Sequence, residues 1–537
     1  PGDSLAARFI ATKFSKAGVK LLYNKGYQPV KLITGFKFGN ENHLSSAKQS
    51  FSIGADYEPL FFSANKSFSG KLMVAGYGMT VNTDSLKWDD YQNQQADNNW
   101  VLIFDGLPAH LQTSKEAKKY SDIRSKVLNA IDHHAAGILI VTPDFNTRGA
   151  AKTVMFDKNS SPYSVPVLKI AQKTADLILD KKLSFSEIEE KIKQTRQPFV
   201  KMTDLTVKGE ASVLPKITMT QNIVGMVPGT DASLSEEFVV VGAHYDHLGF
   251  GGAGSGSRMP DTVAVHYGAD DNASGVAAVI ELAEKFAHEK NNRRPIIFVA
   301  FTAEEFGLIG SKAFVSEPPF SLKKANVMFN FDMVGRLDSE RNLTIGGVGT
   351  SLESQAMIDS LVRGFNVKIS KEGYGPSDHA SFYGENIPVI YFTTGVHDQY
   401  HTPKDTYDRI NVSGEQLIIE NAALLINEAA NRNKKLTYQE SGPKQGNQNR
   451  TDLKVTLGII PDFAGSEKEG MRIDGVTPGK PATKAGLIKG DIIVAIDGKK
   501  VGSIYDYMAR MKAYSPGDII TVDVMRGTEK KVFLVTL

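Results

Sequence analysis

The sequence predicts a multi-domain α/β protein, and three observations carry that reading. Over residues 202–433, short apolar, β-prone runs alternate with helical stretches, the pattern of a sheet covered by helices on both faces. A chain of 537 residues is too long for one hydrophobic core, and about 150 residues per domain points to three or four. Finally, Leu436 to Arg450 is polar and rich in Gly, Pro and Gln, which reads as a linker before a small last domain.

Composition narrows the function classes. Hydrophobic content of 41% with 23% charged residues is that of an ordinary globular protein, so disorder is not the default. The net charge of +2 comes from 62 basic and 60 acidic residues without a basic block, which argues against nucleic acid or an anionic membrane surface as a partner. No apolar run reaches the 18 residues a membrane-spanning helix needs, and the first residues, Pro1-Gly2-Asp3, show no signal region. The expectation is a cytosolic protein or an exported one with its signal removed. The absence of cysteine rules out disulfides, a thiol nucleophile and thiolate-ligated metal.

Along the chain, Leu5, Phe9, Ile10, Phe14, Val19 and Leu21 recur at roughly helical spacing, and Gly18 is the expected stop. Residues 28–62 hold short strand-like runs such as Val30 to Ile33. From Lys71 the pattern becomes strands at Leu72–Tyr77, Trp100–Phe104, Gly137–Thr142 and Val165–Ile170, with candidate helices at Asp122–Ala136 and Ala171–Leu179. His133 and His134 have no acid at suitable spacing and are expected as exposed helix residues.

The segment 202–433 is the best organised. Phe238–Ala243 ends in His244, Pro295–Thr302 leads to Glu304-Glu305, Val327–Phe331 ends in Asp332, and Pro388–Thr394 leads to His401. Each run reads as a buried strand with a metal-competent residue just past its C-terminal end, the edge where open α/β sheets bind ligands. Gly268 to Gly275, GADDNASG, places Asp270 and Asp271 before a helix marked by Val276, Val279, Ile280, Ala283 and Phe286. Asn272 or Ser274 can cap that helix. The loop Gly249–Ser257, GFGGAGSGS, precedes no apolar-periodic helix, so it reads as a loop at the mouth of a site and not as a phosphate cradle.

His244, Asp271, Glu305, Asp332 and His401 form a set of N/O donors suited to zinc and able to take manganese or cobalt. Five ligands exceed what one open catalytic zinc takes, whereas two metals sharing a carboxylate use them all. Glu304, beside Glu305 and free to point elsewhere, suits general acid–base work. His247, His266, His379 and His397 are surplus and expected mostly in packing or hydrogen bonding.

Six blocks, GAHYDHLG (Gly242 to Gly249), GADDNASG, TAEEFGLIGS (Thr302 to Ser311), NFDMVG (Asn330 to Gly335), SDHASF (Ser377 to Phe382) and YHTPKDT (Tyr400 to Thr406), resemble the co-catalytic di-zinc aminopeptidases of the glutamate-carboxypeptidase-like superfamily, peptidase clan MH. The resemblance implies a mixed-sheet zinc-exopeptidase domain holding two Zn2+, with Asp271 bridging, His244 and Asp332 at one ion, and Glu305 and His401 at the other. It further implies Glu304 as the base, Asp246 orienting His244, Tyr374 stabilising the oxyanion, and a cis peptide after Asp271. Asn129-Ala130, Ala135 to Ile140 and Ser164 to Leu168 resemble a protease-associated domain inserted in several peptidases. Leu457-Gly458-Ile459-Ile460, the short helix Pro481–Leu487, Lys489-Gly490-Asp491 and the Asp497-Gly498 turn resemble a PDZ domain of bacterial proteases, whose carboxylate-binding loop corresponds to residues 457–460.

The expected domains are therefore 1–62 and 202–435 for the peptidase, 63–201 for the insertion, 436–452 for the linker and 453–537 for the PDZ domain. The expected activity is removal of N-terminal residues from peptides, with a peptide or protein C-terminus as a further partner at the PDZ domain. Carboxypeptidase or glutaminyl cyclase chemistry at the same site, or peptide binding through the PDZ domain alone, are the alternatives. A periplasmic or extracellular location follows from the resemblance only.

Overall fold

The computed structural model describes residues 2–83, 85–92, 94–118, 120–143, 145, 162–180, 183–252, 255–442, 455–461, 470–476, 479–502 and 504–537. The chain divides into two compact units, residues 1–32 with 218–448, and residues 33–217 with 449–537.

The first unit is built on a mixed sheet. The strands Ile296–Phe301, Phe238–His244, Ala325–Phe331 and Val389–Thr393 lie side by side in that order and run parallel. Val213–Val227 is antiparallel to Ile296–Phe301 on one side, and Asn342–Gly346 is antiparallel to Val389–Thr393 on the other. Alternation of side chains explains why the central strands are apolar throughout. Val239, Val241, Ile296, Phe298, Val327 and Phe329 enter a core shared with the helices Gly2–Lys16, Gly275–Glu289 and Val412–Asn431. Their neighbours Phe238, Val240, Ile297, Val299 and Met328 enter a second core on the opposite face, shared with Ile309–Ser316 and His379–Gly384. The first helix stops at Lys16, and Gly18 adopts φ +81°, a conformation glycine enters without strain. Among the described residues, no helix is long and apolar enough to cross a membrane.

Residues 436–441, read from composition as linker, are fastened to this unit. Leu436 is buried and its N–H donates to Asn326 Oδ1 at 2.7 Å, while Ser441 N–H donates to the Tyr383 hydroxyl at 2.9 Å. An apolar residue and free backbone donors within the polar stretch supply these anchors.

In the second unit, a seven-stranded sheet has the parallel core Lys66–Ala75, Trp100–Phe104, Gly137–Thr142 and Val167–Ala171. Leu72, Trp100, Leu102 and Leu139 face one core and Met73, Val101, Ile103 and Ile138 the other. The helix Ile123–Asp132 starts on an Asp122 cap. His133 ends it half-buried, stacked on Tyr91 with ring centroids 3.9 Å apart, which corrects the expectation of an exposed residue; His134 is exposed. The aromatic face of Tyr91 covers a ring that would otherwise meet solvent.

The described residues from 455 onward form a small mainly-β layer with Pro481–Ala485 and Ile504–Met511 as helices. Ile504–Met511 packs on Ile123–Asp132, and the Arg510 guanidinium, itself buried, pairs with both carboxylate oxygens of Asp132.

Candidate metal centre

The wide turn Ala269–Ser274 carries Asp271 to the carboxyl edge of the sheet. Gly268 sits at φ +60°, and a Cβ there would lie 2.4 Å from the Asp271 carbonyl oxygen, so only glycine lets the turn close. Asn272 ties the turn to the helix and the sheet: its Oδ1 accepts the N–H of Gly275, the first helix residue, at 3.0 Å, and its amide donates to the Phe331 carbonyl at 3.0 Å. The peptide bond between Asp271 and Asn272 is cis. Ser274 Oγ accepts the Val334 N–H at 3.1 Å, so the turn is laced to the segment that bears Asp332.

Two donor clusters meet at Asp271. One contains His244, Asp271 and Asp332; the other contains His247, Asp271, Glu305 and His401, with the donor atoms of each within 4.8 Å of one another. Asp271 Oδ1 faces His244 Nε2 at 3.3 Å, and Oδ2 faces His401 Nε2 at 3.1 Å. His244 Nε2 is also 3.6 Å from Asp332 Oδ1, and His401 Nε2 is 3.4 Å from Glu305 Oε1. The five donors named from sequence thus lie together, and His247 joins them as a sixth, its Nδ1 at 2.9 Å from Glu305 Oε1. A second histidine three positions after His244 in the same loop was the signal available for it.

Mutual attraction sets the electrostatics. Burial opposes charge on His244, Asp271, Glu305, Asp332 and His401, yet hydrogen bonds from His244 and His401 hold the Asp271 carboxyl well below the usual range. Burial likewise opposes charge on Glu305, but His247 and His401 bring it down to about 2. Against its burial, contacts with Asp271 and Glu305 raise His401 to about 10. Glu304 differs: burial, reinforced by Asp378, Asp332 and Glu305, pushes its carboxyl well above the ordinary value despite His244.

The surroundings orient these groups. His244 Nδ1 is 3.0 Å from the main-chain oxygen of Asp246 and 3.7 Å from its Oδ1, so the orienting contact comes from the backbone. The Asp246 carboxylate instead accepts the N–H groups of Glu304 and Glu305. His401 stacks on Tyr400, and its Nδ1 lies 3.0 Å from the Gly256 carbonyl oxygen, which places the described part of the 249–257 loop beside the centre; residues 253 and 254 lie outside the described residues. His266 bonds to Ser257 at 2.8 Å, His379 stacks on Tyr391 and His397 faces Asp270. Tyr374 packs against the apolar core that contains Phe314, Phe382 and Tyr383.

In the small C-terminal layer, Leu457 and Ile459 are core residues, and Gly458 lies at φ +72° with its would-be Cβ 2.3 Å from that of Lys480. Ile459 and Ile460 pair through their backbones with Val476 and Gly475.

A mixed α/β sheet with paired His/carboxylate clusters at its carboxyl edge defines a class of metal-binding α/β domain. Residues 222–426 match the model of Peptidase family M28, and residues 450–537 match that of the PDZ domain. Aminopeptidase YwaD of Bacillus subtilis is 30% identical over 227 residues, covering 40% of this chain and 46% of that protein. A probable leucine aminopeptidase of Arthroderma otae is 28% identical over 214 residues, 38% of this chain and 56% of its own length. The chain thus spans about half the length of these curated relatives. Among solved structures, a zinc aminopeptidase from Bacillus subtilis aligns with TM-score 0.42 at 20% identity, covering 82% of this chain and 91% of that one.

Proposed function

We propose that the chain is a metallo-aminopeptidase that releases N-terminal residues from peptides. The observation that carries this reading is the sharing of Asp271 between two donor clusters, because its two carboxylate oxygens face different histidines. Neutral imidazoles with carboxylates suit zinc, and two sets meeting at one carboxylate suit a pair of Zn2+. His244, Asp271 and Asp332 would hold one ion; Asp271, Glu305 and His401, with His247 beside them, the other. When bound, such a pair supplies Lewis-acid polarisation of the scissile carbonyl.

The remaining work falls to the chain. Glu304 takes a proton from the attacking water and returns it to the leaving amine, the role its burial beside Glu305 supports. Tyr374 would donate a hydrogen bond to the developing oxyanion. Residues 63–201 would act as an inserted protease-associated domain between peptidase segments 1–62 and 202–435. Residues 453–537, after a connection over 436–452, would offer residues 457–460 to a peptide carboxylate. Export to the periplasm or outside the cell completes the proposal.

The test combines chelation with blocked substrates. Stripping metal is expected to abolish hydrolysis of aminoacyl-nitroanilides and zinc to restore it, while N-acetylated dipeptides stay intact. Glu304→Gln is expected to retain metal and lose roughly 10²–10⁴-fold in kcat. An active Glu304→Gln protein would overturn the mechanism, and cleavage of N-blocked peptides would shift the reading to carboxypeptidase action.

A further inference from the structure

Behind the two donor clusters lie two further carboxylates, Asp270 and Asp405, that belong to neither cluster. Asp270 and Asp405 are fully buried. Asp405 follows His401 by four residues, and its Oδ2 accepts two successive backbone N–H groups, those of Asp270 and Asp271, each at 3.0 Å. Asp270 points the other way: its Oδ1 accepts the Gly335 N–H at 2.7 Å, three residues past Asp332, and the Ser274 hydroxyl at 3.0 Å. His397 Nε2 lies 3.3 Å from Asp270 Oδ2, and Arg336 lies 3.5 Å from Asp405 Oδ1. Two carboxylates thus brace three separate loops, those of His401, Asp271 and Asp332, against one another.

We propose that Asp405, acting with Asp270, is a positioning residue that sets the spacing of the two donor clusters and thereby the affinity for the second ion of the pair. The inference rests on the two-metal reading above. The geometry favours it over a general structural role because every bond from Asp405 Oδ2 ends on the backbone of Asp271 or its neighbour. A carboxylate accepting two N–H groups makes charge-assisted bonds, roughly twice as strong as neutral ones. Releasing them would let the His401 loop and the Asp271 turn drift apart, and a site that must seat two ions a few ångströms apart is sensitive to such drift.

The experiment uses the full chain stripped of metal and titrated with Zn2+ against a chromophoric chelator, and with Co2+ followed by visible absorption. Wild type is expected to bind two ions. Asp405→Ala is expected to keep the tighter ion and weaken the second about 100-fold; Asp405→Asn, which retains one acceptor oxygen, about 10-fold, following the range for groups that orient metal ligands. Melting of the metal-free variants is expected to match metal-free wild type within a few degrees. Wild-type affinity for the second ion in Asp405→Ala overturns the proposal, as does the same result in Asp405→Asn should the alanine variant not fold. Failure of both metal-free variants to fold also overturns it, since Asp405 would then serve the fold alone. Fewer than two ions on the wild-type chain would defeat the two-metal reading, and this proposal with it, a result distinct from any variant-specific effect.

Discussion

Asp246 Oδ1 accepts the backbone N–H of Glu304 at 2.9 Å, and its Oδ2 accepts that of Glu305 at 3.2 Å. The residue two positions after His244 therefore fixes the backbone of both glutamates. Burial raises the Asp246 carboxyl to about 6, with His244 and the two N–H groups pulling the other way. Asp246→Ala is expected to lower kcat about 10–100-fold. Asp246→Asn should fall between that variant and wild type. Steady-state kinetics with metal analysis on the same samples checks this; unchanged kcat in Asp246→Ala would contradict it.

His247 Nδ1 approaches Glu305 Oε1 at 2.9 Å, and its Nε2 is buried without a hydrogen-bond partner among the described residues. His247→Ala is expected to weaken metal binding about 10–100-fold by freeing Glu305 to rotate. His247→Gln, which can still reach the carboxylate, should recover part of the loss. Zinc competition titrations provide the readout, and equal affinity in all three proteins would dismiss a role for His247.

His379 is fully buried against Tyr391, and burial carries its ring from 6.5 down to about 3. The unfolded chain takes up this proton below pH 6.5, whereas the folded chain does so only near 3. Stability is thus lost as pH falls through that window, by roughly 2 kcal/mol from this residue at pH 5. His379→Phe keeps a stacking ring and removes the proton site. Urea unfolding at pH 7 and pH 5 should show a smaller loss for the variant, and identical losses would reject the assignment.

Much of the fold was legible because strand patterns in a doubly covered sheet are strong. Trp100–Phe104 and Gly137–Thr142 match the structure residue for residue, and Phe238–His244 differs from expectation only by including His244. The strand Tyr27–Phe38 was harder: its alternation is interrupted by half-exposed residues, and only Val30 to Ile33 stood out. At the centre, His244, Glu305, Asp332 and His401 were readable because each closes or follows an apolar strand, and Asp271 because it opens an amphipathic helix. Asp405 was not, since its importance lies in accepting N–H groups 134 and 135 positions away, and nothing local marks it. The sequence pairs Asp246 with His244 but does not say which Asp246 oxygen makes the contact; loop geometry puts the main-chain oxygen at 3.0 Å from His244 Nδ1.

The donor residues enter the centre from separate loops between His244 and His401, in a chain that contains no cysteine. A metal pair seated there would act as a non-covalent cross-link among strands far apart in sequence, doing for this unit what a disulfide does elsewhere. Resistance to proteolysis and heat would then follow the free zinc concentration of the surroundings, so that scarcity of the ion would shorten the lifetime of the protein as well as silence it.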